Sequence, residues 1–214
     1  MEIAWHERTE QGQVLPFVSW TFPAPRLALS SATLGGGLGV RRWALNATVR
    51  RGYDRDDPAV HLAELAQLVR LDGDGVGLMT AVDVQSIVPG LDGGVTAWAT
   101  VGVDEPAWAA APALGWHTAV PTVGTINLVI DVPVRLSDAA LVNAVATATE
   151  AKAQAMAEVG LAGTGTPTDA VCVICPSDGE PEPYGGPRSI WGSRLARAVH
   201  LAVRRGLAQG TVTP

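Results

Sequence analysis

The stretch that decides the fold covers residues 148–170 and reads ATEAKAQAMAEVGLAGTGTPTDA. Its first half continues an alanine-rich helix, and its second half is a loop of glycine, threonine and proline that ends in an acid. Ser137 and Asp138 are typical of the start of this helix, because the serine oxygen accepts from a free N–H group and the acid lies at the positive end of the helix dipole. Gly160 is typical of its end. The stretch therefore predicts a long helix from Asp138 to about Val159, followed by a polar loop.

Lys152 distinguishes this helix, because it is the only lysine among the 15 lysine and arginine residues of the chain. Helical spacing gives the helix a polar stripe, formed by Asn143, Thr147, Glu150 and Gln154. Lys152 interrupts the neighbouring apolar stripe, formed by Leu141, Val145, Ala148, Met156 and Val159. Two interpretations stay open: the ammonium is buried and paired with a carboxylate, or it snorkels at the edge of the core. In either case Glu150 and Lys152 point in different directions.

The loop 163–169, GTGTPTD, is the second candidate feature. Small residues let a ligand approach the backbone closely, and three threonine hydroxyls with Asp169 offer hydrogen-bond donors and acceptors. The alternative interpretation is an ordinary turn in which Asp169 bonds its own backbone. A glycine cluster at 35–37 predicts another tight turn that a ligand can approach, but it lacks the spacing of a dinucleotide- or phosphate-binding loop.

The remaining pattern favours an α+β fold, with residues 1–214 forming a single domain around a mixed β-sheet core flanked by helices. Apolar runs and alternation predict strands at 13–20, 43–49, 75–81, 94–103, 124–133 and 170–175. Residues 83–93 are predicted to be a loop between neighbouring strands, and two further helices are predicted at 58–69 and 189–205. Residues 104–122, rich in Pro, Ala and Trp, are interpreted as a loop covering one end of the sheet, with a linker as the less favoured interpretation.

The composition argues against several classes of protein. A net charge of −6 argues against a nucleic-acid binder, and 47% hydrophobic residues with 17% charge exclude a largely disordered chain. No window approaches the roughly 18 apolar residues of a membrane span, and the N-terminus lacks a signal peptide, so we expect a cytoplasmic protein without a membrane partner. Cys172 and Cys175 have the spacing of a redox motif, but their apolar strand predicts two buried cysteines. The four histidines are scattered, so we expect no protein-bound metal.

Several short motifs occur in a recognisable order. They are SSA (30–32), GGG (35–37), NATV (46–49), GLMTA (77–81), GTINLV (124–129), TEAK (149–152), GTGTPTDA (163–170) and a closing YGG…WG…LARAV (184–199). Together they resemble the adenosylcobinamide amidohydrolase (CbiZ) family over residues 28–203. GGG alone is unspecific, whereas TEAK followed at this distance by the GTGTPTD loop is characteristic.

The resemblance implies a hydrolase that cleaves the amide joining the aminopropanol arm of adenosylcobinamide to the corrin ring. The implied product is adenosylcobyric acid, within corrinoid (cobalamin) salvage. Cobalt would arrive with the small-molecule corrinoid substrate, so no cofactor is expected on the protein itself, and homo-oligomer formation stays open.

The resemblance also implies which residues form the site. The implied catalytic residues are Glu150, Lys152 and Asp169. The implied substrate-binding residues are Ser31, Gly35, Gly36, Gly37, Asn46, Thr80, Thr125, Asn127, Thr164, Thr166 and Thr168. Residues 104–108, DEPAW, depart from the family pattern, which leaves substrate contacts of the 104–118 region undefined.

Amide hydrolysis requires a base, an oxyanion stabiliser and a proton for the departing nitrogen. We hypothesise that Glu150 or Asp169 activates water, and that Lys152 or the backbone N–H groups of 163–168 stabilise the oxyanion. A nucleophilic Thr166 is the alternative. Two other functions stay open: a corrinoid-binding module without catalysis, and a hydrolase of another amide.

Overall fold

The computed structural model describes residues 1–112 and 124–210. In this part of the chain the strands are β1 (Glu2–Glu10), β2 (Gln13–Ser30), β3 (Gly37–Thr48), β4 (Gly75–Thr80), β5 (Val88–Asp92), β6 (Val95–Val101), β7 (Ile126–Asp131) and β8 (Ala170–Pro176). The α-helices are α1 (Pro58–Leu68), α2 (Asp138–Glu158) and α3 (Ile190–Gly210), and a 3-10 turn covers Val84–Ser86. The Ser137 hydroxyl caps α2 as predicted, accepting a hydrogen bond from the Ala140 N–H at 3.1 Å.

The strands form one mixed sheet in the order β4-β3-β2-β8-β7-β6-β5, and β1 pairs with β2 outside this path. β3 is parallel to β4 and β7 is parallel to β8, whereas the other neighbouring strands are antiparallel. The predicted α+β class, with a mixed sheet flanked by helices, is confirmed.

The sequence predicts neither β1 nor β5. β1, EIAWHERTE, is rich in charged residues and therefore lacks a strong apolar signal. β5, VPGLD, contains Pro89 and Gly90, which ordinarily indicate a turn, so the prediction of a continuous loop at 83–93 is wrong. β2 also extends well beyond the predicted 13–20, because Pro23 and Pro25 do not end it.

The sheet curls so that its two halves meet across an inner core. This inner core includes Trp20 and Ala44 from one half and Val129 and Ile174 from the other. On the outer faces, α1 packs against β2, β3 and β4, while α2 and α3 pack against β5 to β8. Because successive side chains alternate across a strand, the side chains of Asn46 and Ala44 share the inner face of β3. The curl thus buries polar residues between the two halves of the sheet.

Gly90 of β5 lies against α3 without room for a side chain, since a Cβ would lie 2.8 Å from the Ala202 nitrogen and would overlap the Ala198 carbonyl oxygen. We predict that Gly90→Ala lowers the free energy of unfolding by about 1–3 kcal/mol, because α3 must move away from the sheet. Leu91→Ala is the matched control; its side chain is 62% exposed, and the expected change is below about 0.5 kcal/mol. Urea-induced unfolding measures both, and equal effects would contradict the close packing of α3 on β5.

Candidate active site

α2 places Lys152 in the interior of the protein. The face of the helix that packs on the sheet consists largely of small residues such as Ala148, Ala151 and Ala155, and Lys152 on this helix is only 5% exposed. Its ammonium donates a hydrogen bond to Asp169 Oδ2 in a buried ion pair. The structure therefore favours a buried, paired lysine over a snorkelling one.

The carboxylate of Asp169 accepts four hydrogen bonds. Oδ1 accepts from the Ile126 N–H at 2.8 Å and from the Thr166 hydroxyl. Oδ2 accepts from the Thr166 N–H at 3.0 Å and from Lys152. Because a carboxylate offers about four lone-pair sites, these donors engage all of them. Asp169 thus joins α2, β7 and the loop before β8, and keeps no lone pair for a water molecule.

The loop before β8 approaches this ion pair most closely at Gly165, where a Cβ would overlap both Lys152 Nζ and Asp169 Oδ2. Residues 107–109 cover the loop from the other side. The Ala107 N–H donates to the Gly165 carbonyl at 2.8 Å, and the Ala109 N–H donates to the Thr164 hydroxyl at 3.0 Å. The segment that departs from the family pattern therefore borders the hydroxyl-rich loop. The rest of the predicted 104–122 loop, from residue 113, lies outside the described residues.

A cavity of about 520 Å³ lies where the ends of β3 and β4 meet the starts of β7 and β8. Thr80, Thr125 and Thr168 line it, and the hydroxyl oxygens of Thr125 and Thr168 are 2.7 Å apart. Its apolar wall includes Ala32, Val49, Leu78 and Ala170. Because Thr168 directly precedes Asp169, this hydroxyl pair connects the cavity wall to the buried ion pair.

Asn46 of β3 and Asn127 of β7 link the two halves of the sheet within the inner core. Asn127 Nδ2 donates to Asn46 Oδ1 at 3.0 Å and to the Met79 carbonyl at 2.9 Å. Asn46 Nδ2 donates to Thr100 Oγ1 at 3.1 Å. Within the part of the chain that the structure describes, the buried Asn127 Oδ1 has no hydrogen-bond partner. Neither asparagine lines the cavity, so the described geometry gives both a supporting position behind it.

The sequence profile of the adenosylcobinamide amidohydrolase family matches residues 3–213. The chain belongs to this family. A protein of Methanosarcina mazei named adenosylcobinamide amidohydrolase is 32% identical over 187 residues, which cover 83% of this chain and 88% of that protein. A protein of Halobacterium salinarum with the same name is 42% identical over 85 residues, which cover 39% of this chain and 36% of that protein.

Glu150 of this family member does not join the cluster around Lys152. It is exposed on α2 and lines a separate depression of about 200 Å³ together with Gln154 and His200. Helical spacing therefore predicted correctly that the side chains of Glu150 and Lys152 point in different directions. Of the two, Lys152 contacts the 163–169 loop.

The implied residues near the start of β3 also lie outside the cavity wall. The Ser31 hydroxyl accepts from the Val171 N–H at 3.1 Å, which ties the end of β2 to β8. Gly35 lines a different depression, and a Cβ there would overlap the Gly75 carbonyl oxygen. A Cβ at Gly36 would likewise overlap the Ala32 carbonyl oxygen. In this family member Gly35 and Gly36 allow the turn into β3 to pack tightly, whereas Gly37 supplies the positive φ of +84° that the turn requires.

Sequence reasoning missed Arg50, Tyr53 and Arg55, which line the cavity from the connection between β3 and α1. They belong to no motif of recognisable spacing. The one signal is their position, since they follow directly after NATV (46–49), a segment that carries the family resemblance.

The two cysteines singled out by their redox-motif spacing lie in the core. Cys172 and Cys175 are buried and free, as predicted, and burial raises the pKa of the Cys172 thiol to about 12. Within residues 1–112 and 124–210, no group of three His, Cys, Asp or Glu side chains is arranged to hold a metal ion. None of the helices described combines the length and apolar character that crossing a membrane requires.

The ion pair gives a stability prediction with a control on the same helix. Lys152→Met leaves the Asp169 carboxylate buried without its cation, so we expect the free energy of unfolding to fall by about 3 kcal/mol. Glu150→Gln, two residues away and exposed, should change it by less than about 0.5 kcal/mol. Urea unfolding at neutral pH compares the two, and a Lys152→Met protein as stable as Glu150→Gln would contradict a structural role of the pair.

Proposed function

We propose that the protein hydrolyses the amide between the aminopropanol arm and the corrin ring of adenosylcobinamide. The products are adenosylcobyric acid and aminopropanol, and the reaction serves corrinoid salvage. The observation that carries the proposal is the family match over residues 3–213, supported by relatives named adenosylcobinamide amidohydrolase. The cobalt belongs to the substrate.

The cavity suits the arm of the substrate better than the whole corrinoid. Its volume of about 520 Å³ is in the range of small-molecule sites, and its wall combines apolar side chains with the hydroxyls of Thr80, Thr125 and Thr168. The aminopropanol arm is small and ends in a hydroxyl, so it matches such a wall. The corrin ring then stays at the mouth of the cavity, and the scissile amide lies near the Thr125–Thr168 pair.

The Lys152–Asp169 pair supports the reacting amide in this proposal. Neither Lys152 nor Asp169 is among the described residues that line the cavity, so the pair acts from behind the wall by fixing the loop that carries Thr166 and Thr168. Asp169 holds the ammonium and the Thr166 hydroxyl in position. Since all its lone pairs are engaged, Asp169 is a poor base, and Glu150 lies in a different depression. The base must therefore come from another part of the cavity wall.

The direct test is incubation of the purified protein with adenosylcobinamide, followed by chromatography and mass spectrometry of the products. We expect adenosylcobyric acid and aminopropanol in equal amounts, with the rate proportional to protein concentration. Tight binding without aminopropanol release would support a corrinoid-binding module instead. If small linear amides compete with adenosylcobinamide and are themselves cleaved faster, the protein is a hydrolase of another amide.

Variants then test the site. We predict that Asp169→Asn and Thr168→Val each lower kcat/KM by more than about tenfold, equivalent to ~1.4 kcal/mol of lost transition-state stabilisation. Thr168→Val removes one hydroxyl with little change in shape, so its effect is separable from unfolding. Thr149→Val, on the exposed side of α2, is the matched control and should retain wild-type turnover. Turnover within tenfold of wild type in both site variants would contradict this assignment.

A further inference from the structure

A chain of hydrogen-bonded side chains leads from the cavity into the protein at Tyr53. The Tyr53 hydroxyl lies 3.0 Å from His61 Nδ1, and His61 Nε2 lies 2.8 Å from Glu10 Oε1. Tyr53 lines the 520 Å³ cavity, whereas His61 and Glu10 line a depression on another side. The chain of hydrogen bonds therefore passes through the cavity wall.

Each member of this chain is held in place. His61 is 3% exposed on α1, and its ring is stacked on Tyr53 with the planes 10° apart. Arg8 is buried and donates from Nε to Glu10 Oε1 at 2.6 Å and from Nη2 to the Thr48 carbonyl at 2.7 Å. Because Thr48 ends β3 beside the cavity, Arg8 ties the carboxylate to the strand that leads into the cavity wall.

The donor and the acceptor of each hydrogen bond in this chain can be assigned. Burial acts to raise the pKa of Glu10, but the hydrogen bonds from Arg8 and His61 outweigh it and lower the pKa overall. Glu10 is therefore an ionised carboxylate that only accepts, so His61 Nε2 carries the proton that it donates to Glu10. In the neutral ring Nδ1 is then the acceptor, and the Tyr53 hydroxyl donates to it. The lone pairs of the Tyr53 oxygen remain for a molecule in the cavity.

We propose that Tyr53 is the residue that takes the proton from the attacking water, and that His61 and Glu10 accept and stabilise this proton behind it. The inference rests on the amide hydrolysis proposed above. As the water oxygen bonds to the amide carbon, water gives a proton to Tyr53 Oη, and the proton of Tyr53 passes to His61 Nδ1. When the C–N bond breaks, the proton returns through Tyr53 to the departing nitrogen. One water and one amide thus give one carboxylic acid and one amine.

The Tyr53–His61–Glu10 chain, called the relay below, supplies two groups that the Lys152–Asp169 pair does not. They are a base for the attacking water and a proton donor for the leaving nitrogen. Burial raises the pKa of Tyr53, and the carboxylates of Asp57, Glu10 and Glu64 add to this effect against the opposing charge of Arg55. The phenol therefore stays protonated at neutral pH, and it acts as a base only because His61 takes its proton. Tyr53 alone touches the reactants, whereas His61 and Glu10 are positioning residues.

Three variants and one control test the relay with adenosylcobinamide as substrate. Tyr53→Phe keeps the stacked ring and removes the hydroxyl, so kcat should fall by at least about 100-fold while KM stays within about threefold. Tyr184→Phe is the matched control, since Tyr184 is the other tyrosine of the chain and is 73% exposed.

His61→Gln should also lower kcat. The double variant Tyr53→Phe/His61→Gln should be no slower than the slower single variant, because one change already breaks the relay.

A solvent isotope experiment separates proton transfer from a structural role. Rates in mixtures of light and heavy water should give a curved dependence for the wild type, in which two protons move, and a linear one for Tyr53→Phe. If His61→Gln does not fold, as judged by its thermal unfolding, Glu10→Gln replaces it in the double-variant comparison.

The relay is overturned if Tyr53→Phe keeps kcat within about threefold of wild type, or if the losses of the single variants multiply in the double variant. Wild-type protein that releases no aminopropanol overturns the proposed function and the relay together. Wild-type turnover with an unaffected Tyr53→Phe overturns the relay alone.

Discussion

The buried ion pair between Lys152 and Asp169 is the interaction on which the candidate site depends. It connects α2 to the loop before β8, and Asp169 extends the connection to the first residue of β7 through the Ile126 N–H. A buried ion pair of this kind contributes little net stability but is costly to break, because removal of one partner leaves an uncompensated charge. The sequence around it meets its steric demands: alanines let α2 approach the sheet, and Gly165 leaves space for the ammonium and the carboxylate.

The curl of the sheet determines where this ion pair lies relative to the cavity. One half of the sheet supplies Thr80 at the end of β4, and the other supplies Thr125 and Thr168 before β7 and β8. The hydrogen bond from Asn127 Nδ2 to Asn46 Oδ1 joins the two halves behind the cavity and so holds the geometry of the site.

The sequence predicts the local features of this arrangement well. The serine cap, the alanine-rich stripe and Gly160 define α2 within one or two residues, and helical spacing alone places Glu150 and Lys152 on different sides. It predicts the partners of these residues poorly, since the stripe places Lys152 on the apolar face but shows neither whether the ammonium is buried nor which carboxylate it meets. β1 is rich in charged residues and β5 contains a proline and a glycine, so neither gives a strand signal. Their positions in the sheet follow from pairing with β2 and β6. The Tyr53–His61–Glu10 chain joins positions as far as 51 residues apart, so no local pattern could show it.

Glu10 and Arg8 come from β1, which pairs with β2 outside the main path of the sheet. A two-residue turn at Gln11 and Gly12, both with positive φ (48° and 79°), sets the pairing of this hairpin. Because side chains alternate along a strand, one inserted residue in the turn could shift β1 by one position and carry Arg8 and Glu10 to the opposite face. Exposed turns ordinarily tolerate changes in length. Here the length of a turn at the edge of the sheet is coupled to the hydrogen bonds that stand behind Tyr53 in the cavity wall.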